Sequence, residues 1–192
     1  MDEAKLLKDL VFCAREVERE GLVIGSVGNI SARLDENTFY ISSHSSYLGR
    51  ITEEEFVKVN LLGEKLSDSP YEPSSELWMH IEIYRNRDDA GAIVHTHSPY
   101  ASTYAVLKRQ LKPVNPESMY KLGEIPIVPY FPSGTKEFAR AVASVFKKGI
   151  KVALLERHGV VTVGETVYEA LNYAELVEEI ARINYLVDTL GK

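Results

Sequence analysis

The chain reads as a mixed α/β domain, and three features of its sequence predict this. An amphipathic helical segment opens the chain, short apolar runs bounded by turn residues recur along it, and helical segments follow several of those runs. A length of 192 residues suits one domain with a full core. No linker, repeat or low-complexity stretch marks a boundary, so a single domain over residues 1–192 is expected.

Taken in order, the elements have local reasons. Leu6, Leu10, Val11, Ala14 and Val17 recur at helical spacing over 3–20, with Asp2 placed to cap the start and Gly21 to close the end. After the Gly-rich turn GSVGN at 25–29, strands are expected at Ile30–Leu34 and Thr38–Ser42 around the turn Asp35-Glu36-Asn37. Thr52-Glu-Glu-Glu55 has the pattern of a capping box ahead of a strand at Val57–Leu61. The loop SDSPYEPSS at 67–75 feeds a helix over 76–86. Ala92–His97 reads as a strand ending in Ser98, a helix cap, and Pro99, a first helical residue. One or two helical turns are expected at 117–122, a strand at Ile125–Tyr130 and a helix at Thr135–Lys147. Strands at Val152–Leu155 and Val160–Val163 flank the turn Glu156-Arg-His-Gly159, and a long helix over 166–188 follows.

Composition excludes some functions. With 22 Lys+Arg against 28 Asp+Glu the net charge is −6, which argues against nucleic acid or an anionic membrane as partner. No apolar run approaches the ~18–20 residues of a membrane span, and the first residues lack the basic-then-apolar pattern of a secretory signal. Cys13 is the only cysteine, so no intrachain disulfide can form and a cytoplasmic location is expected.

The chemistry-bearing residues cluster in four short motifs. His95-Thr96-His97 lies at the end of an apolar strand, where residues i and i+2 project to one side and two imidazoles can converge on a metal ion. An isolated H-x-H is also what a solvated strand end looks like. His158, in a tight turn after a buried strand, is a third imidazole that a rigid loop can hold. Glu76 precedes a helix, where a carboxylate either meets the helix dipole or serves as a general base beside the histidines. His80, one turn further on, reads as a hydrogen-bonded interior residue. The turn containing Gly25 and Gly28, together with Ser74-Ser75, is either simple turn chemistry or an anion cradle of backbone N–H and hydroxyl donors. Neither a Walker A pattern nor G-x-G-x-x-G is present, which disfavours a nucleotide.

In this order, Gly25-Ser-Val-Gly-Asn29-Ile-Ser31, Pro73-Ser-Ser-Glu76 with His80, Val94-His-Thr-His97 and Glu156-Arg-His158-Gly159 resemble the class II aldolase/adducin family, especially its zinc-dependent L-fuculose-phosphate aldolase branch. The resemblance covers nearly the whole chain. It implies one zinc ion per subunit on His95, His97 and His158, with Glu76 as acid/base that can also touch the resting metal. It implies a substrate phosphate held by Gly28, Asn29, Ser74, Ser75 and Ser45. The implied fold is a three-layer α/β/α sandwich around a mostly antiparallel sheet, assembled as a C4 homotetramer. The implied reaction is reversible cleavage of a ketose 1-phosphate to dihydroxyacetone phosphate and a short aldehyde such as lactaldehyde, with no lysine Schiff base. Pentulose 5-phosphate 4-epimerisation, thio-sugar phosphate dehydration, decarboxylation and a non-catalytic adducin-like module are the other activities the family offers.

The sequence departs from the family pattern in three places. The phosphate loop, usually Ser/Thr-Pro-Ser/Thr-Gly, is Ser42-Ser-His-Ser45, so a serine stands for glycine and His44 offers an added donor. The family's proton-donor tyrosine aligns with Pro116, Tyr120 being the nearby candidate. Longer relatives also continue past the position of Lys192 into a tail, which implies less cover over the aldehyde side here.

Overall fold

The computed structural model describes residues 2–147 and 149–191, so Met1, Lys148 and Lys192 of the expected domain lie outside the described residues. Helix α1 runs over Glu3–Arg19, with the Asp2 carboxylate accepting from the N–H groups of Ala4 and Lys5 and with Leu6, Leu10, Cys13, Ala14 and Val17 buried. Gly21 ends it at φ +70°, and the Leu22 N–H reaches back to the Val17 carbonyl at 3.0 Å, as helix C-terminal caps commonly do. Strands β1 (Asn29–Arg33), β2 (Thr38–Ser42) and β3 (Phe56–Asn60) form a meander. The expected capping box of Thr52 and Glu55 is present on a single 3₁₀ turn. Then follow α2 (Leu77–Asn86), β4 (Ala92–Thr96), α3 (Pro99–Val106), α4 (Pro116–Leu122), β5 (Ile127–Val128) and α5 (Lys136–Val145). The chain closes with β6 (Val152–Leu155), β7 (Gly159–Gly164) and α6 (Val167–Leu190).

The strands make one seven-stranded mixed sheet in the order β3-β2-β1-β4-β7-β6-β5. Neighbouring strands are antiparallel except β5 and β6, which are parallel. Alternation along β4 shows how both faces are buried. Ile93 joins a cluster with Met79 and Ile83 of α2 and Phe138 and Val142 of α5, while Ala92 and Val94 join Leu10 and Ala14 of α1 and Ala170 of α6. Toward the other edge, Leu154 and Val160 pack with Tyr104 of α3, Leu122 of α4 and Val177 of α6. Helices therefore cover both faces, and the strand ends are the places where polar groups can gather.

Three sequence expectations change at this level. The strand expected at 125–130 shrinks to Ile127–Val128, because Pro126 and Pro129 on either side have no N–H to give a ladder. Strand β4 stops at Thr96, so His97 lies just beyond it, held where its N–H donates to the Leu22 carbonyl at 3.1 Å. Ser98 occupies the cap position of α3, yet its hydroxyl pairs with Thr96 Oγ1 at 2.7 Å instead of capping. The cap comes from α6: the Glu178 carboxylate accepts from the N–H groups of Tyr100 and Ala101 at 2.9 and 2.8 Å. Such a tertiary cap has no local sequence signature. Glu178→Ala removes both acceptors and should cost about 1–2 kcal/mol, read as a lower melting temperature than that of Glu178→Gln, which keeps one acceptor oxygen.

Candidate active site

Three adjacent strand ends build the site. Asn29 opens β1 opposite His95 of β4, and His95 in turn faces Val161 of β7. Two glycines permit the approach. A Cβ on Gly28, which sits at φ +80°, would lie 2.8 Å from the His95 carbonyl oxygen. A Cβ on Gly159 would lie 2.2 Å from the Thr96 carbonyl oxygen, so only glycine lets the turn carrying His158 close against the end of β4. Arg157 at φ +56° and the His158 N–H on the Leu155 carbonyl at 3.1 Å shape that turn.

The structure brings His95, His97 and His158 together, with one nitrogen of each within 4.8 Å of the others. Their ring centroids lie 4.7–5.3 Å apart and their planes are steeply inclined to one another. His95 Nδ1–H donates to the Val160 carbonyl at 2.9 Å, which leaves the Nε2 lone pair facing inward. That Nε2 is 3.2 Å from His97 Nε2. Ligand nitrogens about 2.0–2.1 Å from a tetrahedral zinc ion stand about 3.3 Å apart, so the spacing fits a shared cation. His158 Nδ1 is buried with no hydrogen-bond partner, and a cation is the kind of group that would satisfy it. Burial holds all three imidazoles in the neutral, ligating form: His95 falls well below the usual range, His97 falls, and His158 drops to about 4 with a further push from His97.

Glu76 stands at the cap position of α2 but makes no side-chain cap, so its carboxylate is not spent on the helix dipole. It is buried beside the histidines, and Oε2 has no partner. Burial raises its pKa to about 7, and the Gly134 N–H draws it partly back. A carboxyl poised near neutrality can both take and return a proton.

The same cavity, about 200 Å³, is lined by Gly28, Asn29, Ser45, Ser74, Ser75 and Glu76 together with the three histidines. One wall of it forms because Ser74 N–H donates to the Ser42 carbonyl at 3.1 Å and His44 N–H to the Glu72 carbonyl at 2.8 Å, which stitches the loop after β2 to the segment before α2. Ser45 adopts φ +59°, the left-handed conformation that favours glycine. A serine in this conformation stores strain that a glycine would not.

His44 also lines the cavity, as do Ser26, Ser43 and Ser133, which sequence reasoning did not single out. Ser26 and Ser43 sit inside the motifs already noted, whereas Ser133 arrives on the loop before α5, for which no local signal exists. His80 is fully buried and hydrogen-bonded as expected, with Asn29 among its partners. Tyr120 is 90% exposed on α4 and does not line the cavity.

Residues 8–185 match the family model described as Class II Aldolase and Adducin N-terminal domain. An L-fuculose phosphate aldolase of Methanococcus vannielii is 38% identical over 186 residues, 97% of this chain and 99% of that protein. A 3-oxo-tetronate 4-phosphate decarboxylase of Pectobacterium atrosepticum is 31% identical over 96% of this chain and 86% of its own. The crystal structure of an L-fuculose-1-phosphate aldolase from Thermus thermophilus superimposes with a TM-score of 0.83 at 28% identity, covering 95% of this chain and 94% of that one.

Two stability measurements probe the site without substrate. Ser45→Gly relieves the left-handed strain, partly offset by glycine's unfolded-state entropy, and should stabilise by about 0.5–1 kcal/mol in denaturant titration. For Glu76 the sign is set by a carboxyl whose pKa rises from 4.5 unfolded to about 7 folded. The folded state disfavours the ionised form, so stability is lost as pH climbs from the unfolded value through the folded one, to a ceiling of about 3 kcal/mol. Metal-free Glu76→Gln should melt above the wild type at pH 8, and that advantage should largely vanish at pH 5.

Proposed function

Because the chain belongs to the class II aldolase and adducin family, we propose that it is a divalent-metal lyase that reversibly cleaves a ketose 1-phosphate, of the L-fuculose 1-phosphate kind, to dihydroxyacetone phosphate and a short aldehyde. The observation that carries this reading is the gathering, in one cavity, of three neutral imidazoles, one buried and two half-buried, and a buried carboxylate with an unpartnered oxygen, beside a cradle of uncharged donors. A non-catalytic module has no need of that combination, since unpaired buried polar groups cost stability.

His95, His97 and His158 would hold the metal, with zinc suited to an all-nitrogen set of three ligands and an open position. When bound, such an ion supplies a Lewis acid that polarises a carbonyl oxygen and stabilises negative charge beside it. Asn29, Ser74 and Ser75, with the backbone at Gly28 and Ser45, would seat the phosphate and so fix the carbon to be deprotonated against Glu76. In the cleavage direction the C3–C4 bond breaks as the C4 hydroxyl passes its proton to a second base, distinct from Glu76, and becomes the aldehyde. The electron pair stays on C3, next to the carbonyl, and Glu76 returns a proton there. In the addition direction Glu76 removes that proton first. Burial serves both steps by keeping the carboxyl proton affinity near neutral pH and by excluding competing water.

Decarboxylation of a 3-oxo acid phosphate is the second reading, favoured by the 31% identity to the Pectobacterium decarboxylase. It also leaves an electron pair on the carbon beside a carbonyl. The cytoplasm suits a chain whose single cysteine is buried, and no helix among the described residues is long and apolar enough to cross a membrane. A homotetramer would cover exposed side chains at the end of α6 and on α4, including Tyr185, Val187, Leu190 and Met119.

The test is an assay of L-fuculose 1-phosphate cleavage with and without a chelator, alongside carbon dioxide release from a 3-oxo acid 4-phosphate. Chelator-sensitive formation of dihydroxyacetone phosphate is expected; carbon dioxide release alone would select the second reading. His95→Ala, His97→Ala and His158→Ala should each lose bound metal and activity together, read by elemental analysis. Glu76→Gln should keep most metal yet slow exchange of the hydroxymethyl proton of dihydroxyacetone phosphate into heavy water by ~10²–10⁴-fold. Full zinc occupancy in all three histidine variants, or wild-type exchange in Glu76→Gln, would overturn the corresponding role.

A further inference from the structure

A buried hydrogen-bond chain runs from α2 to the cavity. Tyr84 hydroxyl and Ser31 Oγ are 2.7 Å apart, Ser31 Oγ and His80 Nδ1 2.6 Å, and His80 Nε2 and Asn29 Oδ1 2.6 Å. Tyr84, His80 and Ser31 are fully buried, and Asn29 is 4% exposed with its far side on the cavity. The polarity of this chain follows from counting hydrogens. With Tyr84 donating to Ser31, Ser31 to His80 Nδ1, and His80 Nε2–H to Asn29 Oδ1, every hydrogen has an acceptor. The reverse polarity leaves the Tyr84 hydroxyl hydrogen buried without an acceptor among the described residues, a penalty of the kind interiors avoid.

We infer that His80 is a positioning residue: by donating to Asn29 Oδ1 it turns the Asn29 amide so that its NH₂ group, not its oxygen, faces the anion-binding side of the cavity. The inference rests on the phosphate reading of that cavity and adds the residues that orient it. It accounts for features that the metal and acid/base roles leave unused, namely a histidine, a serine and a tyrosine aligned through the interior of α2 and β1. Orientation matters here because no lysine or arginine among the described residues lines the cavity. Neutral dipoles must then do the work, and an inverted amide presents a partial negative charge where a positive one is needed. Ser31 and Tyr84 act one step further back. They present a hydroxyl hydrogen to Nδ1, which holds the His80 proton on Nε2.

The experiment uses the zinc-loaded protein and inorganic phosphate as the probe. Heteronuclear NMR of the His80 ring should show the Nε2–H tautomer in the wild type, and the Asn29 side-chain amide resonances should shift on adding phosphate. His80→Leu should weaken phosphate binding about tenfold, the loss of one well-made hydrogen bond to an anion, and raise KM for the phosphorylated substrate more than it lowers kcat. His80→Gln, whose amide can donate from near the Nε2 position, should recover most of that loss. Tyr84→Phe, nearly isosteric and so expected to fold, should weaken phosphate by a smaller factor and shift part of the His80 signal toward the Nδ1–H form. An Nδ1–H tautomer in the wild type, or folded Tyr84→Phe and His80→Leu proteins that bind phosphate as the wild type does, would overturn the inference. Should phosphate leave the wild-type Asn29 resonances unmoved, the phosphate reading of the cavity falls, while the tautomer measurement still decides the direction of the amide.

Discussion

Three imidazoles with nitrogens within 4.8 Å of one another can be buried only while they remain uncharged. The same burial that lowers the histidine pKa values raises that of Glu76, because removal from water penalises whichever form carries charge. One cause thus yields a neutral imidazole cluster and a proton-ready carboxyl side by side. It also makes the cluster electron-rich without net charge, the condition under which a divalent cation meets lone pairs and no repelling proton. With no lysine or arginine in the cavity wall among the described residues, the polar groups on offer there beside the histidines and Glu76 are hydroxyls, an amide and backbone N–H groups. Those are weak singly, so their directions matter more than their number.

Keeping such groups dry and aligned is a demand on the backbone. Strand β4 has β1 on one side and β7 on the other, which lets residues far apart in sequence converge beside His95. Gly28 and Gly159 are the contact points where neighbouring segments of the backbone come closer than any Cβ allows. Ser45 shows the opposite solution, a side chain tolerated in a glycine conformation because the surrounding backbone is pinned to the segment before α2. Strain of this kind persists only where the neighbourhood over-determines it, and here it lies on the wall of the cavity.

The sequence made much of this legible because the decisive groups sit in short, locally ordered motifs. The alternation in His95-Thr96-His97 carried the shared direction of two side chains even though the strand stops one residue before His97. Helix α1, the capping box at Thr52 and the turn before His158 follow from local chemistry and are found where that chemistry puts them. Features made by tertiary contact were hidden. The cap of α3 comes from Glu178, 77 and 78 residues away, and Ser133 reaches the cavity on a loop whose own sequence says only that a helix follows. The prolines at 126 and 129 were visible, yet their effect depends on β5 being an edge strand, which only the sheet order reveals.

The aldolase and decarboxylase readings differ in how many protons must move. Decarboxylation releases neutral carbon dioxide, leaves the bonding pair on the carbon beside the carbonyl, and needs one proton delivered to that carbon, which Glu76 alone can supply. Aldol cleavage needs two transfers, one from the C4 hydroxyl and one to C3. Within the cavity wall the three histidines face one another as a set that could hold a metal, which leaves Glu76 and the exposed His44 as the other ionisable side chains among the described residues. The aldolase reading therefore carries a structural consequence: a second proton carrier must reach the C4 oxygen, from His44 or from beyond this chain's own wall. Tyr120 is 90% exposed on α4, a helix that packs against α6, and stands outside the cavity wall. On this argument C–C cleavage asks for a second proton carrier beside Glu76, a demand that the decarboxylase reading does not make.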